Sequence, residues 1–179
     1  MACISKFTFG SAYDCDTGAT GIESALIFNK EDIASYALAA ESLLLSTLTL
    51  VSGAKAYKID TPKRTLVLTD SLKINEGAPN SFSQSATLVY TSVQESSNLR
   101  GFISSSANTG AVIMAKLPGN IVRIYGLYFG MYATAIDKST HDNGGWFTIT
   151  MSTQEQVIGE DLINVQAALY DSLYTAATY

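Results

Sequence analysis

The stretch from Ile121 to Ser152, IVRIYGLYFGMYATAIDKSTHDNGGWFTITMS, limits what this chain can fold into more than any other. Side chains of a strand alternate between two faces. On that period Ile121, Tyr125, Leu127, Phe129 and Met131 share one face of the run Ile121–Ile136, and Val122, Ile124, Tyr128, Tyr132 and Ile136 share the other. A strand apolar on both faces is covered on both. The polar run from Asp137 to Gly145 follows, and its Asn-Gly and Gly-Gly pairs supply the positive φ angles of a hairpin loop. Phe147, Ile149 and Met151 then alternate against Trp146, Thr148, Thr150 and Ser152. The pattern predicts a long antiparallel hairpin, one strand of which needs outer cover from a second sheet or another subunit.

The remaining chain adds shorter strands. Residues 1–20 read as an N-terminal arm or loop, with few periodic apolar positions. From Gly21, the residues Ile22, Leu26 and Phe28 share a strand face. Lys30 to Ala40 has helix-forming composition, with Asn29 placed to cap it. Leu43 to Val51 alternates as a strand. Arg64 to Asn75 sets Leu66, Leu68, Leu72 and Ile74 on one face, as one half-buried strand or two short ones broken near Asp70. Ser81 to Val93 sets Phe82, Ala86, Leu88 and Tyr90 against Ser83, Ser85, Thr87 and Thr91. Leu99, Phe102 and Ile103 have helical spacing, which predicts a short crossing helix within Gln94–Asn108, weakened by Gly101. Ala111 to Leu117 is a buried strand. At the end, Leu162, Val165 or Gln166, Leu169 and Leu173 form a helical stripe, with Tyr170, Tyr174 and Tyr179 off it. That helix packs on the domain or reaches a neighbour. The sum is a mainly β chain of about eight strands: a β-sandwich or barrel-like domain over 21–158, an arm over 1–20, and a short helix with a tail over 159–179.

Composition narrows the function classes. The 179 residues allow one domain with a real core. Charged residues make up only 15% and hydrophobic residues 47%, which suits a β protein with extensive contacts better than a free enzyme. The net charge of −5 and the lack of a Lys/Arg cluster disfavour nucleic-acid binding through phosphate neutralisation. The first fifteen residues hold no apolar core of signal-peptide length, so the chain is expected to stay where it is made. Cys3 and Cys15 lack CxxC spacing and read as idle thiols in a reducing compartment. Ile33 to Val51 mimics a membrane span, but a charge such as Glu41 at its centre costs roughly 2.5–3.5 kcal/mol on insertion scales. Its second half also alternates Leu with Ser and Thr. No membrane partner is expected.

The order of these features resembles the bacteriophage tail tube (major tail) proteins, in the form found in phages and prophages of Bacteroidetes. The matching pieces are Gly21-Ile22, Leu26-Ile27-Phe28-Asn29 and Asp32-Ile33, then Asn80-Ser81-Phe82-Ser83-Gln84-Ser85 opening a strand. A helix, the strand AVIMAKL, Val122-Arg123-Ile124-Tyr125-Gly126-Leu127, and Gly130-Met131 before a hairpin loop complete them. The resemblance spans most of residues 21–160. It implies a β-sandwich flanked by a helix, whose subunits join sheets edge to edge into hexameric rings with an inner β-barrel. Stacked rings would form the virion's tail tube, which passes DNA without binding it. The partners it implies are other copies of the chain and other tail proteins, made in the host cytoplasm. The expected contact residues are Tyr125, Leu127, Phe129, Met131, Phe82, Tyr170 and Tyr174.

Other motifs weigh less. Asp16-Thr17-Gly18-Ala19 copies an aspartic-protease signature but lacks its apolar lead-in strand, so a solvated loop is favoured. His141, the only histidine, lies beside Asp142 in the polar loop and has no second imidazole to complete a zinc site. Asp137, Asp142 and Asn143 lack the spacing of a calcium loop. Neither a cofactor nor catalysis is expected. The competing reading is a β-sandwich virion or cell-surface module whose aromatic loop around Trp146 grips carbohydrate.

Overall fold

The computed structural model describes residues 21–39, 43–59, 66–77, 79–90, 108–138, 147–155 and 163–178. The predicted crossing helix over 94–107, the D-T-G motif, both cysteines, His141 and Trp146 lie outside these residues.

Among the described residues, eleven strands form two sheets. They are β1 (Ser24–Asn29), β2 (Ile33–Leu38), β3 (Leu44–Leu50), β4 (Tyr57–Ile59), β5 (Val67–Lys73), β6 (Ser81–Tyr90), β7 (Ala111–Leu117), β8 (Ile121–Tyr125), β9 (Tyr132–Lys138), β10 (Phe147–Ser152) and β11 (Asn164–Val165). One helix, α1 (Ala167–Ala176), follows. The large sheet has the order β2-β3-β11-β8-β7-β1-β4, and the small sheet β5-β6-β10-β9. The fold is mainly β and sandwich-like, with a short helix on the outer face of the large sheet.

Both faces of β1 and β7 are buried. Ala25, Ile27, Ala111, Ile113 and Ala115 face the small sheet and meet Ala86, Leu88, Ile149 and Met151. Leu26, Phe28, Val112 and Met114 face the other way, into a second core closed by Val165 and Tyr170. Small side chains on the inner face let the sheets approach, while bulky ones fill the space under the helix. Helix α1 docks through Tyr170, which is 1% exposed, and not through a leucine stripe alone; Leu169 and Leu173 are only half-buried. The Tyr170 hydroxyl lies 2.8 Å from Ser24 Oγ, and its ring stacks on Tyr174. After the helix, Lys58 N–H donates to Thr178 O at 2.8 Å, so the chain end pairs with β4.

Two expectations are corrected. The helix expected over Lys30 to Ala40 does not form in its described part, 30–39: a single 3-10 turn over Lys30–Asp32 leads into β2, because pairing with β3 outweighs local propensity. The run Ile121–Ile136 is not one strand. It divides into β8 in the large sheet and β9 in the small sheet, and only β9 pairs with β10 as the predicted hairpin. At the switch, Met131 still exchanges two hydrogen bonds of 2.8 Å with Ala111, while Tyr132 already pairs with Ser152. Gly126 and Gly130 take φ of 76° and 75° there. A Cβ on Gly126 would lie 2.8 Å from the Ala111 carbonyl oxygen.

Three outcomes are expected. Met114→Ala should cost about 2–5 kcal/mol in chemical denaturation, since it opens a cavity in a fully buried site. Gly126→Ala should cost more than Gly53→Ala. Both pay the left-handed penalty of roughly 1–2 kcal/mol, but only Gly126 also clashes with backbone, Gly53 having open space. Burial pushes the Tyr170 hydroxyl up to about 12, outweighing the Ser24 hydrogen bond that lowers it. With the folded value above the ordinary 10, stability is intact below pH 10 and falls as pH rises towards 12. A phenolate absorbance titration should show this, and Tyr170→Phe should remove that residue's share.

Candidate assembly surface

Four of the predicted contact residues are interior. Tyr125 and Met131 lie between the sheets, while Leu127 and Tyr170 lie in the core under α1. At these four positions the cover comes from the chain's own second sheet and helix, and these side chains present no surface to a neighbour. Phe129 does, at 42% exposure, from the turn between β8 and β9. Phe82 is half-buried opposite Leu72, at a rim where Leu72 and Ile74 are 53% and 76% exposed. Tyr174 is half-buried, with the Lys58 ammonium 4.7 Å from its ring centre.

The small sheet carries the more distinctive surface. Its inner residues alternate with an outer set rich in hydroxyls: Thr69 and Ser71 on β5, Ser83, Ser85 and Thr87 on β6, and Thr148, Thr150 and Ser152 on β10, with Val67, Val89, Ala135 and Asp137 among them. Strand register aligns them in rows. Thr69, Ser85, Ser152 and Tyr132 form one row, and Val67, Thr87, Thr150 and Ala135 another. Charges stand only at the margins, as Lys73, paired with Glu155 at 3.1 Å, and as Asp137. That ion pair is largely exposed and adds little stability. The hydroxyl alternation was legible in sequence; its assembly into one face required the strand order.

Among the described residues no strand pairs with the outer edge of β5, of β9 or of β2. Each is six or seven residues long. β2 carries no charge and exposes Tyr36, while β9 exposes Thr134 and Ala135. Monomeric β proteins blunt such edges with lysines, prolines or covering loops. Here the β4 edge is covered, by Thr178. Among the described residues no three acidic, histidine or cysteine side chains converge as a metal site, and no helix is long and apolar enough to cross a membrane. Compared with known proteins, the chain matches no protein-family model, no curated protein and no solved structure.

The surface predicts a specific sensitivity. Ala135→Lys with Thr134→Lys places charge on the β9 edge without entering the core. The thermal midpoint of the monomer should stay unchanged, and self-association, read by light scattering, should fall.

Proposed function

We propose that this chain is a non-enzymatic structural subunit that self-assembles into rings, and that the stacked rings form a phage tail tube. The observation that carries the reading is the small sheet: four antiparallel strands, both edges open among the described residues, and an outer face rich in hydroxyls with its charges, Lys73 and Asp137, at the margins.

An even number of antiparallel strands leaves β5 and β9 running in opposite directions. A copy rotated about a ring axis therefore brings its β5 antiparallel to the neighbour's β9, and the alternation continues unbroken. Six copies, the number the family resemblance implies, would supply about 24 strands. At ~4.8 Å per strand the circumference is roughly 115 Å and the backbone diameter about 37 Å, nearer 50 Å with strands tilted by about 40°. Once side chains are allowed for, that leaves a channel wide enough for a DNA double helix.

The hydroxyl face would line the channel, and the helix would lie outside it. A wall without clustered cations releases few counterions from DNA and so does not hold it. The acidic net charge acts in the same direction. On this reading the protein is made in the host cytoplasm, resides in the virion, and meets other copies and other tail proteins.

Negative-stain electron microscopy with a parallel solution mass measurement tests this. Rings with a central hole, or stacked tubes, are the expected result. A monomer that persists at all concentrations would overturn it, and a closed trimer with glycan-array signal would favour the carbohydrate-binding module.

A further inference from the structure

We propose that the segment after α1, residues 177–178, is an edge guard: by occupying β4 it bars the large sheet from joining a second copy and leaves that role to the small sheet. The small sheet's part in this rests on the assembly reading above.

Both sheets have the strand directions for head-to-tail extension. In the large sheet β3 and β11 run parallel, and every other neighbouring pair is antiparallel. Its edge strands β2 and β4 therefore run in opposite directions, as β5 and β9 do in the small sheet. A second copy could set its β2 antiparallel to β4 and continue the ladder. β2 is open among the described residues and carries no charge. Its residues 35–37 keep regular register with β3 and are all exposed. Those three residues match the three of β4 in length. Copies joined this way would be linked through the layer that carries α1, and not through the hydroxyl-rich sheet.

The β4 edge is filled from within the chain. On β4 the Lys58 N–H turns away from β1 and donates to Thr178 O at 2.8 Å, and Thr178 N–H donates to Ala56 O at 3.2 Å. Thr178 thus lies beside Tyr57 as a parallel bridge, on backbone groups that an added strand would need. More than these two bonds holds it there. Ala177 is buried and belongs to the core under α1. The Lys58 ammonium lies 4.7 Å from the Tyr174 ring centre, so α1 and the residues after it grip the middle of β4 by both side chain and backbone. Tyr174 stacks on buried Tyr170, and Lys116 Nζ donates to Asp171 Oδ1 at 2.9 Å. Helix docking and edge cover are therefore one unit, because the helix fixes where Thr178 arrives. Among the described residues β5 and β9 have no such cover. An edge closed on one sheet and open on the other selects one joint out of two.

Mass by light scattering reads the guard when the small sheet is blocked, in full-length protein carrying Thr134→Lys and Ala135→Lys on the β9 edge. Removing residues 177–179 from that protein, with α1 left whole, should at least double its mass. Adding Ala37→Lys, a charge at an exposed position of β2, should abolish the gain. Thermal unfolding shows whether each variant is folded. If the shortened protein does not fold, Ala177→Glu takes its place, since a charge at that buried site drives the segment off β4 with the chain length kept. A folded, unguarded protein with no gain in mass overturns the proposal and leaves the assembly reading standing. A gain that Ala37→Lys does not touch overturns it equally. If the wild type never assembles but the unguarded protein does, through β2, the guard stands and the assembly reading falls.

Discussion

Everything in this fold depends on two adjacent strands being buried on both faces. β1 and β7 pair antiparallel over six residues, from Ser24 opposite Lys116 to Asn29 opposite Ala111. Their alternate side chains feed two separate cores. Each fully buried Leu, Ile, Phe or Met contributes about 1.5–3 kcal/mol, so this pair anchors helix, large sheet and small sheet at once. The outer strands need only one good face. That is why β5 and β9 can carry Ser, Thr and Ala on their exposed sides and still hold their places.

The second constraint is the passage between the layers. Chain running from β8 to β9 changes sheets within the six residues from Gly126 to Met131. Two glycines in the left-handed region make the bend, and Gly110 and Gly130 nearly touch across it. The Gln84 side chain reaches from the small sheet to the backbone of Gly126, while its own N–H is 2.9 Å from Thr153 Oγ1. Gln84 is 2% exposed, so these bonds form where water cannot compete. One buried amide thus ties the bend, the end of β10 and the start of β6 into a single unit.

This economy leaves the small sheet finished inside and open outside. Its core face is filled by Ala86, Leu88, Ile149 and Met151, whereas neither edge has a strand beside it among the described residues. A sheet with that character is suited to extension by copies of itself, and its hydroxyl face suits a surface that water or a sliding polymer must not grip. The surface offered for the proposed assembly is therefore backbone edge and hydroxyl-rich face, with Phe129 and the rim of Leu72, Ile74 and Phe82 as the exposed or half-buried apolar additions.

Local periodicity was enough to place β1, β3, β5, β6, β7 and β10 within a few residues, and to class the chain as mainly β. AVIMAKL reads as a buried strand, and it forms β7. The same periodicity marked 121–136 as covered on both faces, which holds for Val122, Ile124, Tyr125, Leu127 and Met131 but not for Ile121 or Phe129, 40% and 42% exposed. It could not reveal that Gly126 and Gly130 divide the run between two sheets, because apolar residues continue in sequence across the bend, whereas in the fold the faces break there: Tyr125 and Met131 lie between the sheets and Leu127 in the core under the helix. Nor could it tell whether another subunit or the chain itself supplies the cover, so Tyr125, Leu127, Met131 and Tyr170 read as contact residues although they are core. Tyr170 lay off the leucine stripe of its helix, yet the large sheet and Ser24 turned its ring inward. Lys30 to Ala40 had helical composition, but hydrogen bonds to β3 made Ile33–Leu38 a strand. Sequence pattern sets which side chains must leave water. Strand order, settled by long-range pairing, decides what covers them.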